Sequence, residues 1–172
     1  MTAHAIRVLP PVHDARDALV DLLVDSVEHG ASVNFVWPMT RAKAEHWWDG
    51  ALASHLHGER LVLIAELDGR IEGTVQVIFA PQENQIHRAE ISKLLVHSSA
   101  RGRGLGARLL RAAEDEARKA GRSLLVLDTE KDSAGDRLYA REGWIKFGEV
   151  PGYAMTADNS MRATCCFFYK TV

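Results

Sequence analysis

Between Asp14 and His29 the apolar residues Ala15, Leu19, Leu22, Leu23 and Val27 recur at mostly three- and four-residue intervals. That spacing puts them on one stripe of an α-helix. Asp14 stands at the position of an N-cap, and Gly30 where a helix leaves through a left-handed residue. The run Ala31-Ser32-Val33-Asn34-Phe35-Val36-Trp37-Pro38 is too apolar for a routine polar turn. A second helical stripe, capped by Thr40 and stopped by Gly58, runs to His57 with Trp47, Trp48, Ala51, Leu52 and Leu56 on or near one face. The period then changes. Leu61 to Leu67 and Ile71 to Phe79 read as strands joined by Asp68-Gly69, a two-residue hairpin signal. Pro81 to Gln85 is a loop and Ile86 to Val96 a long third strand. Arg103 to Ala120 reads as a helix closed by Gly121, and Ser123 to Leu127 as an apolar strand ending at Asp128. Asp132 to Glu142 is a short helix stopped by Gly143. Trp144 to Glu149 and Ala163 to Tyr169 read as two last strands, separated by an irregular link from Pro151 to Met161.

This order predicts an α/β chain of the α+β kind: a mixed, largely antiparallel sheet flanked by helices. With 172 residues and no internal repeat, 1–172 reads as a single domain. An apolar share of 47% with 26% charged residues argues against disorder. No apolar stretch approaches membrane-spanning length. Met1 to Ala5 shows no basic segment leading into an apolar core, so no signal peptide, no membrane partner and a cytoplasmic location are expected. Lys and Arg (21) nearly balance Asp and Glu (23), which argues against a nucleic-acid partner. Cys165 and Cys166 are neighbours on a strand and point to opposite faces, so they are expected not to bridge, with one in the core. His55 and His57 do not share a helix face, and no Cys or carboxylate lies at ligand spacing, so no metal is expected.

The chemistry concentrates in Arg101-Gly102-Arg103-Gly104-Leu105-Gly106-Ala107, which follows Leu94-Leu95-Val96 and opens a helix. Glycines let backbone N–H groups approach a ligand closely, and a helix start adds unpaired donors and partial positive charge. Arg101 and Arg103 add full charge. The turn reads as a cradle for a phosphate or pyrophosphate. A P-loop would need Gly-Lys-Ser/Thr, which is missing. Gly102-x-Gly104-x-x-Ala107 does satisfy the dinucleotide fingerprint, with Asp128 ending the next strand. Against that, His97 to Arg101 separates strand from glycine where that fold turns tightly, and too little chain follows for the remaining parallel strands. A glycine-rich surface turn without a ligand is the bland alternative.

Two carboxylates are candidates for acid–base work. Glu90 shares a strand face with Ser92 and Leu94 by period-two counting; it is either a base or a solvated charge paired with Arg88. Asp128 ends a buried strand, where open sheets form ligand crevices, or it caps the next helix.

The segments Leu94 to Gly106 and Leu138-Tyr139-Ala140-Arg141-Glu142-Gly143-Trp144 resemble the acyl-CoA motif and the late Leu-Tyr segment of the GNAT superfamily of N-acetyltransferases. More closely, His87-Arg88-Ala89-Glu90, Lys93-Leu94, Ser99 to Gly106, Leu127 to Glu130, Gly148 to Tyr153 and Gly30 to Phe35 resemble its tabtoxin resistance subgroup. The resemblance spans nearly the whole chain. It implies the GNAT fold and transfer of the acetyl group of acetyl-CoA to a primary amine of a small molecule, in that subgroup an amino-acid-like or β-lactam toxin. A protein acceptor or a non-catalytic CoA sensor are the other readings.

By that resemblance the N–H groups of Gly102, Arg103, Gly104, Gly106 and Ala107, with Arg101, hold the pyrophosphate. Leu94, Leu95 and Val96 pair with the pantetheine arm, and the Leu95 N–H is the candidate donor to the thioester oxygen. It further implies that Glu90 and Asp128 bind and deprotonate the amine, and that Tyr139 protonates the departing thiolate; the bland reading of Tyr139 is a packed ring. Ser32, Asn34, Phe35 and Tyr153 become candidate walls of the acceptor site, or else ordinary loop packing. Asp132, Gly135 and Ser98 depart from the residues common among relatives. The strand at Ala163 to Tyr169 offers an edge for a homodimer.

Overall fold

The computed structural model describes residues 4–172; Met1 to Ala3, part of the N-terminal reading, lie outside it. The elements run β1 (Ala5–Val8), α1 (Arg16–Glu28), α2 (Arg41–Leu56), β2 (Arg60–Leu67), β3 (Arg70–Phe79), β4 (Arg88–Val96), α3 (Leu105–Lys119), β5 (Leu124–Glu130), α4 (Ala134–Arg141), β6 (Ile145–Met155) and β7 (Arg162–Thr171). They build a seven-stranded sheet ordered β1-β2-β3-β4-β5-β7-β6. Every neighbouring pair is antiparallel except β4 and β5. The mixed, mainly antiparallel sheet flanked by helices is the expected class.

Each face of the sheet carries its own core. Leu105, Leu109, Leu110, Ala113 and Ala117 of α3 press on Leu63, Val75, Ile91, Leu125 and Phe168. Leu19, Leu22 and Leu23 of α1 and Trp48 of α2 press on Val62, Ile64 and Leu95 from the other side. The α3 helix sits so close to β3 that a Cβ on Gly73 would lie 2.8 Å from Leu109 Cδ1. Any larger residue would force Leu109 to shift and crowd Leu95 O at 3.1 Å.

Several expectations change. The short β1 has no counterpart among the expected elements: four residues ahead of Pro10-Pro11 are too brief for a periodic signal. Asp14 does not cap α1; the helix begins after Ala15, whose N–H donates to His13 Nδ1. Thr40 does cap α2, accepting from the Lys43 N–H. Leu56 does not join that helix's apolar face, being 64% exposed on a last turn that overruns the core. The β5 strand runs past Asp128 to Glu130, and β6 runs through Pro151-Gly152 to Met155. Both cysteines are buried, not one. The Ala163 to Tyr169 segment is no edge, because β7 lies between β5 and β6; the edges are β1 and β6. No helix among the described residues is long and apolar enough to cross a membrane.

Candidate active site

The parallel pair β4 and β5 stays in register only at Arg88↔Leu124, Ala89↔Leu125 and Glu90↔Val126. Beyond it β4 continues beside β3, and β5 beside β7. A gap therefore opens in the middle of the sheet, its walls the free edges of two strands. The His97 N–H bonds to Glu72 O on β3. Alternation back along β4 turns the Leu95 N–H to its register partner Thr74 and leaves the N–H groups of Leu94 and Val96 facing the gap. Leu95 is thus not the free donor that the sequence suggested.

A bulge changes the faces as well. Gln76 pairs with Ser92 and Thr74 with Leu95, so Lys93 and Leu94 together face Val75. Lys93 takes φ +50°, the left-handed conformation that accommodates the extra residue. Side chains before and after the bulge consequently change parity. Ala89 and Ile91 belong to the core under α3, and Leu94 and Val96 pack against it; Leu95 belongs to the core under α1 and α2. Glu90 therefore shares its face with Ser92, Lys93 and Leu95, and not with Leu94.

At the mouth of the gap lies the glycine loop. Gly102 and Gly104 take φ +75° and +74°, and Gly104 stands at the N-cap of α3 with no side chain capping it. The first helical bond is Arg108 N–H to Gly104 O. From Gly102 through Ala107 no backbone N–H has an acceptor among the described residues. Such a row of free donors at a helix start is what a pyrophosphate needs. Arg101 is already engaged: its guanidinium donates to Val96 O at 3.1 Å and His29 O at 3.2 Å, tying loop, strand and α1 together. Arg103 is exposed. Asp25 of α1 fixes the loop's entry, accepting from the Ser98 N–H at 2.8 Å and the Ser98 hydroxyl at 2.7 Å. Burial works against the ionised Asp25, but these two bonds and the nearby His97 and His29 win and hold its pKa below the ordinary value. Ser98 thus has a reason to stand there.

Glu90 and Asp128 lie on one face of the sheet, on opposite sides of the opening gap. Glu90 is half-buried; its pKa is raised, first by burial and then by the Asp128 carboxylate. Asp128 caps no helix, since Ser133 caps α4. Its Oδ2 accepts from Cys165 Sγ at 3.2 Å, and burial together with that carboxylate pushes the Cys165 thiol up to about 12. A thiol held protonated is a hydrogen-bond donor here and not a nucleophile.

Ser32 and Asn34 line a small cavity with Asp128, Thr129 and Cys165. Tyr153 is 54% exposed on β6 and meets Phe167, the register partner of Asp128, edge to face at 5.2 Å. Phe35 packs on Trp47 at 5.8 Å, and Lys93 Nζ lies over both rings, 5.6 and 5.2 Å from their centroids. The larger surface groove, lined by Arg7, His13, Asp21, Glu66, Arg70 and His97, contains none of these carboxylates.

Tyr139 approaches from the other face. Its ring is packed against Trp144 and Phe168, while its hydroxyl has no hydrogen bond among the described residues. Burial, with Asp128 adding to it, holds this phenol above its ordinary value, so it stays protonated. Gly135 explains itself: a Cβ would lie 2.7 Å from Thr129 Oγ1. Asp132 takes φ +60°, and its N–H donates to Asp136 Oδ2.

Sequence reasoning missed Lys93, Cys165, Arg60 and Asp25. Only Lys93 left a trace, a lysine inside an apolar strand; the others depend on long-range pairing. Arg60 shares the Glu90 face through Gln76, to whose Oε1 it donates at 2.9 Å.

Comparisons with known proteins bear on the family and the fold. An uncharacterized N-acetyltransferase of the hisH–hisA intergenic region of Azospirillum brasilense is 35% identical over 115 residues, 66% of this chain and 67% of that protein. The ribosomal-protein-alanine N-acetyltransferase of Brucella melitensis superposes with a TM-score of 0.79 at 25% identity, covering 98% of this chain and 99% of that one. A Salmonella typhimurium protein solved with acetyl-CoA has the same fold, with a TM-score of 0.77 at 22% identity over 99% of this chain and 94% of its own. The model of the acetyltransferase (GNAT) family matches residues 17–144, from the first helix through the split strands and glycine loop to Trp144. With that match over most of its length, the chain belongs to the GNAT acetyltransferase family.

Proposed function

We propose that the protein transfers the acetyl group of acetyl-CoA to a primary amine of a small, amino-acid-like molecule, as one cytoplasmic domain of the tabtoxin resistance subgroup. One observation carries the reading: the row of acceptor-less N–H groups from Gly102 through Ala107 at the mouth of the β4–β5 gap. That row fits a pyrophosphate, and the free N–H groups of Leu94 and Val96 fit an amide-bearing arm lying in the gap like an added strand. The fold relative solved with acetyl-CoA supports the same cosubstrate.

The chain's own groups then divide the work. Glu90, whose raised pKa brings it closer to neutrality, takes a proton from the acceptor ammonium directly or through water. Asp128, steadied by the Cys165 thiol, holds the same ammonium. A gap-facing N–H of β4 polarises the thioester carbonyl. The new C–N bond forms as the C–S bond breaks, Tyr139 gives its proton to the leaving thiolate, and the proton that the nitrogen sheds in becoming an amide goes to solvent, from which Tyr139 is reprotonated. Ser32, Asn34, Phe35 and Tyr153 flank the acceptor.

A thiol-release assay over a panel of amines tests this. Glu90→Gln and Tyr139→Phe are expected to lower kcat about 100-fold or more while leaving CoA affinity within a few-fold. Binding of NAD in place of acetyl-CoA, or variants that change nothing, would reject the reading. A protein N-terminus is the second reading, favoured by the likeness to the Brucella enzyme; acetylation of N-terminal peptides with no small amine accepted would select it.

A further inference from the structure

Lys93 is the unexplained group on the acceptor side. It is only 8% exposed, yet its ammonium has no hydrogen bond and no carboxylate within 4.0 Å among the described residues. Burying an unpaired cation is costly. The rings of Phe35 and Trp47 compensate in part, since a cation is attracted to an aromatic face. Neither ring can accept a hydrogen bond as a carboxylate does. Glu90 and Asp128 are near enough for their charges to act on Lys93, and still neither pairs with it. The ammonium is therefore not spent as their counter-ion.

A second orphan lies beside it. Gln76 is fully buried; Arg60 donates to its Oε1, which turns Nε2 the other way, and Nε2 has no acceptor. Gln76 is the register partner of Ser92, the residue before Lys93, on the same face of the sheet. That face thus presents two carboxylates, Glu90 and Asp128, together with unfilled donors at Lys93 and Gln76.

We infer that Lys93 is the anion-recognition residue of the acceptor chamber, so that the acceptor is a zwitterion whose amine goes to Glu90 and Asp128 and whose carboxylate goes to Lys93. This rests on the acceptor chamber of the proposed function and adds the charge pattern of its substrate. The bulge is what makes it work: without the extra residue at Lys93, that side chain would point into the core beneath α3. Phe35 and Trp47 hold the ammonium's bearing, so an incoming carboxylate meets a preorganised donor.

The test compares α-amino acids with their methyl esters and with the matching decarboxylated amines, using wild type, Lys93→Met and Lys93→Arg. The ester lowers the basicity of the amine and decarboxylation raises it, so the pair brackets that effect. Wild type is expected to favour the free acid at least tenfold in kcat/KM. Lys93→Met loses that preference through KM, with the ester little changed, and Lys93→Arg retains part of it. A merely structural Lys93 would lower acid and ester alike, and that result, or a wild type indifferent to the carboxylate, overturns the inference. Calorimetry with N-acetyl-amino acids and their methyl esters on the CoA-bound protein gives a readout free of turnover. Binding of the acids to wild type but not to Lys93→Met, with no amine acetylated, upholds the anion site and rejects the transferase. Absence of acid binding to wild type rejects the anion site whatever the turnover.

Discussion

Glu90 is a carboxylate placed where ionisation is disfavoured, by burial first and by Asp128 second. Its folded pKa therefore lies above its unfolded one. The sign follows: its contribution to stability is full below the unfolded value and is lost as pH rises through the folded value. Glu90→Gln removes that loss. We expect the variant to match wild type near pH 4 and to melt a few degrees higher near pH 7, while its acetyl transfer collapses. Thermal melts at the two pH values check this; a variant less stable at pH 7 would show that Glu90 is held by favourable contacts instead. The same ionisation predicts that kcat/KM falls as pH drops through the raised Glu90 value. Glu114 is a contrasting buried carboxylate. It accepts from Trp144 Nε1 and from Lys170 Nζ, each at 2.8 Å. Glu114→Ala strands the Trp144 N–H and leaves Lys170 with only its bond to Glu142 O at 3.0 Å, and should cost about 2–4 kcal/mol. Urea unfolding measures this, and a loss under about 0.5 kcal/mol would contradict the network's weight.

The elements show which sequence signals survive folding. The cap at Thr40, the Asp68-Gly69 hairpin and the glycine turn that opens α3 were all legible, because each is set by neighbours in the chain. The faces of β4 were not. Period-two counting put Leu94 beside Glu90, and the bulge at Lys93 moved it across the sheet. Nothing local announces a left-handed lysine. Pro151 to Met161 read as an irregular link after a strand ending at Glu149, but β6 is an edge, where a missing N–H costs no ladder bond, and the register shift after Val150 absorbs the break. Asp25 and Ser98 are 73 residues apart and could not be paired in advance. Their contact gives the loop its own test. Gly104 has φ +74° and open space around a built Cβ. Gly104→Ala should therefore cost the free protein only about 1 kcal/mol of backbone strain, yet weaken CoA binding tenfold or more, since it sets a methyl group among the free N–H donors of the turn. Equal losses in stability and affinity, read from melts and calorimetry, would mean that the cradle does not contact the phosphates.

The whole molecule is two sheet halves joined at a short seam. One half, β1 to β4, is covered by α1, α2 and α3; the other, β5 to β7, is tied on by three parallel register pairs and by the packing of α3 and α4 beneath. Splaying the strands forfeits ladder bonds that a continuous sheet would have made. The groups left unpaired by that split are the ones the proposed cosubstrate would satisfy, on the β4 edge and in the glycine loop. Folding and function therefore share one set of backbone donors, and a ligand that fills them must stabilise the fold. At a CoA concentration 100-fold above its dissociation constant the gain is about 2.7 kcal/mol, which for a chain of this size raises Tm by roughly 5–10 °C. Hydrogen exchange should slow most at the N–H groups of Leu94, Val96 and Gly102 through Ala107, and least on the far edge strand β1. A rise in Tm with protection spread evenly over the sheet would place CoA somewhere other than the seam, and no rise at saturation would mean that the split is not a binding site at all.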